Sequence, residues 1–361
     1  MGEKLKNIEL KINDKIAKVP IIQGGMGVGL SLSGLASAVA REGGIGVIAT
    51  AGIGYKESDF DTNYCEANKR ALRKEIRKAR ENSNGGLLGV NIMVALTNYA
   101  DMVRTSIEEG IDFIFSGAGL PLKLPGYLKE FSDIKTRLVP IVSSARAFRL
   151  ICKNWIKKFN YLPDAVVVEG PMAGGHLGYS YDELNNNEVS LKEIFNEVME
   201  VAKEFSDKIS RAIPVIVGGG IFSADDVAEY ISLGASGVQL GTRFVATYES
   251  DASEKVKDSY IKAKKDDVRL IKSPVGMPGR AIANDFLLAV ERGEKIPYKC
   301  PYHCIKTCKP NKSPYCIAYA LINANKGNLD EGFAFSGSNV YRINRIMSVK
   351  ELIEELISKI K

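Results

Sequence analysis

The strongest constraint on the fold is a repeated alternation of short apolar runs and amphipathic segments between about residues 19 and 245. Residues 45–51 are apolar except for Thr50, which is typical of a strand buried on both faces of a parallel sheet. Residues 191–209 instead repeat apolar side chains at helical spacing. Eight such units predict right-handed crossovers and a closed (β/α)8 barrel, the TIM-barrel fold. A doubly wound α/β sheet is the main alternative.

The predicted elements follow one another with short turns. We expect a polar lead-in over residues 1–18 and an inserted loop over 179–189. Ser31 or Ser33 is predicted to cap the first helix, and Ser223 the helix before the last strand, because serine hydroxyls accept from first-turn amides. The predicted strands are 19–23, 45–51, 87–94, 112–115, 138–142, 165–168, 213–217 and 237–240, and the predicted helices are 32–41, 66–81, 98–109, 126–132, 145–159, 191–209 and 224–232.

The length of 361 residues fits one barrel over residues 1–290 and a small cysteine-rich extension over 291–361 that ends in an amphipathic helix, residues 349–360. The net charge of +6 is mild, and its lysines fit solvated helix faces rather than a nucleic-acid groove. Apolar runs are too short to span a bilayer, and the N-terminus has no signal-peptide pattern. We therefore expect a cytoplasmic protein without nucleic-acid or membrane partners.

One of only two histidines, His176, lies in a glycine-rich stretch that is predicted to form a turn directly after the apolar run 165–168. In a barrel, the ends of the strands carry the chemistry, and histidine titrates near neutrality. The sequence around His176 fits a proton-transfer residue and an ordinary loop histidine equally well.

Glycines also follow the last two predicted strands, as Gly218-Gly219-Gly220 and Gly241-Thr242. The loops after strands seven and eight form the common phosphate site of barrels, where glycine lets backbone amides approach the phosphate. The first glycine-rich turn, residues 24–29, also resembles a dinucleotide fingerprint. We discount that interpretation, because the second strand ends without a carboxylate to bind ribose.

The predicted barrel mouth offers amides, backbone donors and small residues, without the aspartate or histidine sets of a metal site. This chemistry suits a flat cofactor with a phosphate, such as flavin mononucleotide (FMN). The residues alone therefore predict a phosphate-bearing cofactor with one histidine near it.

Several phrases together resemble one family, that of nitronate monooxygenase, formerly 2-nitropropane dioxygenase, which is related to the flavin-dependent type II enoyl-acyl-carrier-protein reductase. The phrases span most of residues 19–285, and they are Pro20-Ile21-Ile22-Gln23-Gly24-Gly25-Met26, Ser116-Gly117-Ala118-Gly119-Leu120-Pro121, Ala173-Gly174-Gly175-His176-Leu177-Gly178, residues 214–220, Gly237-Val238-Gln239-Leu240-Gly241-Thr242-Arg243-Phe244, and Gly276-Met277-Pro278-Gly279-Arg280 with Asn284.

The resemblance implies a barrel that binds FMN non-covalently and oxidises alkyl nitronates to carbonyl compounds and nitrite with O2. It implies that His176 takes the α-proton of a nitroalkane, or donates near the substrate. The residues it places around the flavin are Gly24, Met26, Asn91, Ser143, Glu169, Gly175, Gly219, Gly220, Gln239, Gly241 and Thr242.

Four cysteines follow the barrel in a short segment, Cys300, Cys304, Cys308 and Cys316. Four thiolates could hold an iron–sulfur cluster or zinc, although the spacing matches neither a zinc ribbon nor a ferredoxin. We expect no metal and prefer reduced thiols packed in a small cap, because disulfides are rare in the cytosol. The segment departs from the family pattern, as does the long loop after His176.

Two further functions stay open at this point. One is an FMN-dependent enoyl-thioester reductase that uses NADH or NADPH. The other is a non-catalytic flavin or redox-sensing module with the cysteines as its switch. In each enzymatic case the partner is a small-molecule nitronate or enoyl thioester, and a homodimer is compatible with the chain.

Overall fold

The computed structural model describes residues 9–186, 188–294 and 300–360. The described chain begins with an antiparallel hairpin of β1 (Leu10–Ile12) and β2 (Lys15–Ala17). Leu10 and Ile12 are fully buried and join the apolar core inside the lower barrel. The predicted polar lead-in is therefore wrong over the hairpin, since alternate residues of β1 close the N-terminal end of the barrel. Residues 1–8 lie outside the described ranges.

Eight parallel strands close into a barrel, which confirms the predicted fold. They follow chain order around the barrel, and the last strand pairs with the first, with Val238 opposite Ile21. The barrel strands are β3 (Ile21–Gln23), β4 (Ile45–Ala49), β5 (Leu87–Met93), β6 (Phe113–Gly117), β7 (Arg137–Val142), β8 (Val166–Glu169), β10 (Val215–Gly218) and β11 (Gly237–Leu240).

Helices follow the strands and cover the barrel, as the helical spacing predicts. They are α1 (Ser33–Arg41), α2 (Tyr64–Asn82), α3 (Tyr99–Glu108), α4 (Leu124–Leu128), α5 (Ala145–Phe159), α6 (Tyr181–Asn185), α7 (Leu191–Ile209), α8 (Ala224–Ser232), α9 (Thr242–Val245), α10 (Glu254–Lys262), α11 (Asp285–Glu291), α12 (Ile317–Asn325) and α13 (Val349–Ile357). No helix in the described part of the chain is long and apolar enough to cross a membrane.

The two predicted helix caps have different outcomes. The Ser223 hydroxyl accepts from the amide of Asp226, so its capping of α8 is confirmed. Neither Ser31 nor Ser33 caps α1. The carboxylate of Asp251 accepts from the amides of Leu32 (2.8 Å) and Leu35 (3.1 Å) instead. A partner more than 200 residues away satisfies this helix start, so local sequence could not reveal it.

A second small sheet lies beyond the barrel strands. Its strands are β9 (Gly175–His176), β12 (Val268–Lys272) and β13 (Pro278–Ile282), all antiparallel, with β13 in the centre. The glycine-rich stretch around His176 was predicted as a turn, and this is wrong for β9. Its pairing partner comes about a hundred residues later, so the local glycines suggested only a loop. The predicted inserted loop that follows contains α6, which a Ser180–Glu183 capping box begins.

The C-terminal extension packs on the barrel at several places, of which two are at opposite ends of the extension. Leu96, after β5, forms a bridge with Ile305, and α13 contacts α1, α8 and α9. The final helix therefore docks on the barrel, and it ends at Ile357 rather than Ile360. Residues 295–299, just after the predicted domain boundary, lie outside the described ranges, so the division at residue 290 stays a prediction.

Candidate active site

A cavity of about 480 Å³ opens at the C-terminal ends of the barrel strands. This volume lies within the usual range of small-molecule sites. The cavity wall brings together every residue that the sequence proposed for catalysis or cofactor binding: Gly24, Met26, Asn91, Ser143, Glu169, Gly175, His176, Gly219, Gly220, Gln239, Gly241 and Thr242.

The His176 side chain is held from two sides. Its Nε2 lies 2.7 Å from the hydroxyl oxygen of Ser273, in the turn between β12 and β13. Its ring meets Phe335 edge to face, with ring centroids 5.0 Å apart. Burial among these groups lowers the pKa of His176 to about 4. The imidazole is therefore neutral at physiological pH. Ser273 contacts Nε2, which leaves Nδ1 as the other ring nitrogen.

The loop between β8 and β9 is fixed by a buried arginine, Arg280, whose role the sequence did not predict. Nη1 of Arg280, on β13, donates to the carbonyl oxygens of Pro171 and Ala173, each at 2.6 Å. Burial lowers the pKa of the Arg280 guanidinium to about 10, so it keeps its charge at neutral pH. These two charge-assisted hydrogen bonds hold the strand that carries His176 in place.

A carboxyl group completes the chemistry of the cavity. Glu169 ends β8, and the hydroxyl of Tyr179 donates to its backbone carbonyl oxygen. Burial raises the pKa of the Glu169 carboxyl to about 7, although the nearby Ser143 hydroxyl offsets part of this rise. Glu169 can therefore hold a proton under conditions where an exposed glutamate is ionised.

We expect Glu169→Gln to stabilise the apoprotein at alkaline pH. The folded pKa of about 7 lies above the usual pKa of an exposed glutamate, so the ionisation of Glu169 progressively lowers the free energy of unfolding as the pH rises towards and through 7. The variant should therefore unfold with a free energy about 3 kcal/mol larger than wild type at pH 8, and nearly the same at pH 4. Denaturant titrations at both pH values measure this, with Glu200→Gln on the exposed face of α7 as the control. An equal difference at both pH values would contradict the prediction.

Gly219, Gly220, Gly241 and Thr242 follow β10 and β11 and form one corner of the cavity, which we call the glycine corner. Gly219 and Gly220 have φ of +80° and +146°, which favour glycine strongly. Among the described residues, neither amide donates to a protein acceptor. The Thr242 hydroxyl accepts from the amide of Gly337 (2.9 Å), so its own proton stays available to a ligand. The arrangement offers several convergent donors to an anion.

A segment near the C-terminus completes this corner, and sequence reasoning missed it. Nδ2 of Asn339 donates to the carbonyl oxygen of Gly220 (3.0 Å). Ser336 lines the cavity and is 2% exposed, yet its Oγ has no hydrogen-bond partner in the described structure. The small residues of Ser336-Gly337-Ser338 were the only local signal, and nothing in the sequence linked them to a site nearly a hundred residues earlier.

The first strand ends are packed tightly against the same cavity. A side-chain carbon placed on Gly25 would lie 2.3 Å from Cβ of Asn91, and one on Gly24 would lie 3.3 Å from Cγ of Gln239. The turn after β3 therefore lies directly against side chains from β5 and β11. This close approach explains why glycines occupy it without any dinucleotide fingerprint.

The cysteine segment contributes to the wall, with Cys304 facing the cavity. Burial raises the pKa of the Cys304 thiol to about 12, so this thiol is neutral. Within residues 9–186, 188–294 and 300–360, no group of three or more histidine, cysteine or acidic side chains has the geometry of a metal site. That the segment binds no metal stays a prediction.

The barrel, the glycine-rich corner and the neutral histidine define the active site of an enzyme in the barrel mouth. The family match below makes this enzyme an oxidoreductase. The sequence matches the family model described as nitronate monooxygenase over residues 9–359. The chain belongs to the nitronate monooxygenase family.

Relatives and solved structures are similar to this chain over most of its length. A probable nitronate monooxygenase of Staphylococcus saprophyticus is 26% identical over 95% of this chain and 94% of its own. An indene-carboxyl-CoA dehydrogenase of Mycobacterium tuberculosis is 26% identical over 76% of this chain and 66% of that enzyme, so the match spans about two thirds of its length. The structure of FabK from Thermotoga maritima is 29% identical, with a TM-score of 0.70 over 94% of this chain and 92% of that one.

Proposed function

We propose that this protein is an FMN-dependent nitronate monooxygenase that oxidises alkyl nitronates to carbonyl compounds and nitrite with O2. The observation that carries the proposal is the neutral, enclosed His176 in the same cavity as the glycine corner of β10 and β11. This pairing supplies a base beside a site for a phosphate-bearing cofactor.

The donor set of the cavity fits FMN. The amides of Gly219 and Gly220 and the hydroxyl of Thr242 would hold its phosphate. Ser336 Oγ, buried without a partner, would gain one from the same group. Buried polar atoms without partners are costly, so a ligand that satisfies this hydroxyl would be stabilised there.

The chain's own residues would bind, orient and deprotonate the substrate. Nδ1 of His176 would take the α-proton of a nitroalkane, while Ser273 holds Nε2 and thereby the ring orientation. Apolar side chains such as Met93 and Ile141 would limit the access of water to the reacting carbon. When bound, FMN would accept an electron from the nitronate.

The test measures both cofactor and products. The purified protein is expected to release FMN on denaturation, identified by chromatography. Aerobic incubation with the nitronate of 1-nitropropane should then yield nitrite and propanal, and anaerobic addition should decrease the visible flavin absorbance. Absence of nitrite from a protein that retains its FMN would overturn the proposal.

A second candidate is an FMN-dependent enoyl-thioester reductase, since the apolar part of the cavity wall, including Leu96 and Ile305, would accept an acyl chain. Anaerobic loss of flavin absorbance on addition of NADH or NADPH, followed by its recovery with an enoyl thioester, would favour this function. A cytoplasmic location and a homodimer remain predictions for either enzyme.

A further inference from the structure

The proposed nitronate oxidation leaves the four thiols of the cysteine segment without a role. All four are free, and Cys304 is buried at the wall of the active-site cavity. Cys300, Cys308 and Cys316 are partly exposed and pack against the same apolar core as Cys304. Burial and these three neighbouring thiols together raise the pKa of Cys304 to about 12. The four thiols therefore converge on one region beside the cavity.

The backbone of the cysteine segment is fixed at both of its ends. The carbonyl oxygen of Cys304 accepts from the amide of Thr97 on the barrel (3.1 Å). The amide of Lys306 donates in turn to the carbonyl oxygen of Ala95 (2.9 Å). Cys316 directly precedes α12, and the N-terminus of a helix favours a negative charge such as a thiolate. The segment thus holds its thiols in place for a ligand.

The charge of the segment suits a ligand that is negative overall. Between Glu294 and Asp330 the sequence has six lysines and no acidic residue. Lys306, Lys309 and Lys312 lie between the cysteines and are exposed. Four thiolates gathered around iron and sulfide carry a net negative charge, which nearby lysines stabilise.

A buried amide next to the segment lacks a partner. Asn98 follows Thr97, the residue that bonds Cys304, and it is 5% exposed. Neither polar atom of the Asn98 side chain has a hydrogen-bond partner in the described structure. Such a group is costly unless a ligand satisfies it, and the sulfur atoms of a metal cluster accept hydrogen bonds. The orphaned amide therefore favours a ligand with acceptors at this place.

The placement of the thiols distinguishes a cluster from a single metal ion. In the described part of the chain, no three candidate ligands have the geometry that one ion requires. Zinc would need four thiolates about 2.3 Å from the same atom. A cluster of four iron ions binds one thiolate at each iron, so its ligands surround it without meeting at one point. Thiols that converge more loosely than zinc ligands fit this second arrangement.

We propose that the four cysteines bind an iron–sulfur cluster of four iron and four sulfide ions at the edge of the active-site cavity. This inference replaces the expectation of reduced thiols without metal that the spacing of the cysteines suggested. Each thiol loses its proton to solvent when it binds iron. The site does not depend on nitronate oxidation, and Cys304 places the cluster beside any cofactor that the cavity holds.

The first test measures the metal content of the full chain, purified without oxygen and with its flavin retained. After incubation with ferrous iron, sulfide and a thiol reductant, we expect about four iron and about four acid-labile sulfide ions per chain. Dithionite should then produce the low-temperature electron paramagnetic resonance signal of a reduced cluster. Less than about half of this iron content, or zinc bound in its place, would overturn the inference.

A ligand variant locates the cluster. Cys308→Ser should lower the iron content on the order of 3-fold or more, because three thiolates hold a cluster incompletely. The matched control is Cys65→Ser on α2, where the thiol already donates to Asp101 (3.3 Å), and it should keep the wild-type iron content. Thermal unfolding shows whether each variant is folded. Iron content in Cys308→Ser equal to that of wild type would place the metal elsewhere.

A measurement on the wild-type chain covers the case in which the variant does not fold. Iodoacetamide should alkylate Cys300, Cys308 and Cys316 several-fold more slowly in the iron-loaded protein than after a chelator has removed the iron, because metal-bound thiolates are shielded. Cys65 should react at the same rate in both samples. Equal rates for the three thiols before and after chelation would sink the cluster. Neither measurement uses a nitronate, so failure of the proposed reaction leaves this inference separately testable.

Discussion

Replacing His176 with asparagine is expected to lower kcat/KM for a neutral nitroalkane by about 10²- to 10⁴-fold, the usual contribution of a positioned base. The same variant should oxidise a preformed nitronate within about tenfold of wild type, because that substrate has already lost its α-proton. Ser273 lies 2.7 Å from Nε2, which asparagine does not reach but the amide of glutamine does, so an equal loss in His176→Gln assigns the effect to proton transfer rather than to the lost Ser273 contact. Parallel assays with 1-nitropropane and its nitronate measure both values.

The matched control is His303→Asn, the same substitution at the other histidine. His303 has a φ of +46°, a region that asparagine tolerates well, and it does not line the cavity. We expect unchanged rates with both substrates. Nitroalkane oxidation that persists in His176→Asn would refute the assignment of the base, and an equal loss with both substrates would make His176 a donor to the substrate instead.

The burial of His176 also determines how the rate of nitroalkane oxidation should depend on pH. Because the pKa of His176 is lowered to about 4, its neutral form is the base at every pH well above 4. The rate with nitroalkane should rise with pH through about 4 and show no further His176 limb near 6.5. Any limb near pH 7 should come from Glu169 and disappear in Glu169→Gln. A limb near 6.5 that persists in this variant would show that His176 titrates as an ordinary imidazole.

The barrel was predictable because its signals are local. Each strand is a run of apolar residues such as Ile45–Ala49, and each main helix repeats apolar residues over its own length, as Leu191–Ile209 does. The elements missed have partners distant in sequence. The strand of Gly175–His176 exists through pairing with β13, and the cap of α1 comes from Asp251. No window of sequence contains both members of such a pair.

The site divides in the same way. Residues at the ends of strands, such as Glu169 and Gly219, could be placed in one cavity because parallel strands end at the same edge of the barrel. Ser273, Arg280 and Ser336 could not, because hairpin and loop segments after the barrel bring them back to its mouth. The sequence therefore indicated the groups that would react, and the structure adds those that orient them.

Gly219→Ala is expected to weaken FMN binding on the order of 100-fold. The new Cβ would lie 2.7 Å from both the amide nitrogen and the carbonyl oxygen of Gly170, two backbone atoms that cannot move independently of β8. Its φ of +80° adds a further cost of about 1 kcal/mol for a residue with a side chain. Both effects displace the amides that would bind the phosphate, and Kd from fluorescence titration of the apoprotein with FMN measures the loss.

Gly85→Ala is the matched control, because Gly85 has nearly the same φ, +76°, with no atom within 4 Å of the new Cβ. It should carry the same conformational cost and bind FMN as wild type does. Thermal unfolding of the two apoproteins separates binding from folding, since a Gly219→Ala protein that unfolds near the Gly85→Ala temperature is intact. An unchanged Kd in Gly219→Ala would mean that the phosphate does not bind at the β10–β11 corner, because a displaced cradle cannot keep its affinity for an anion.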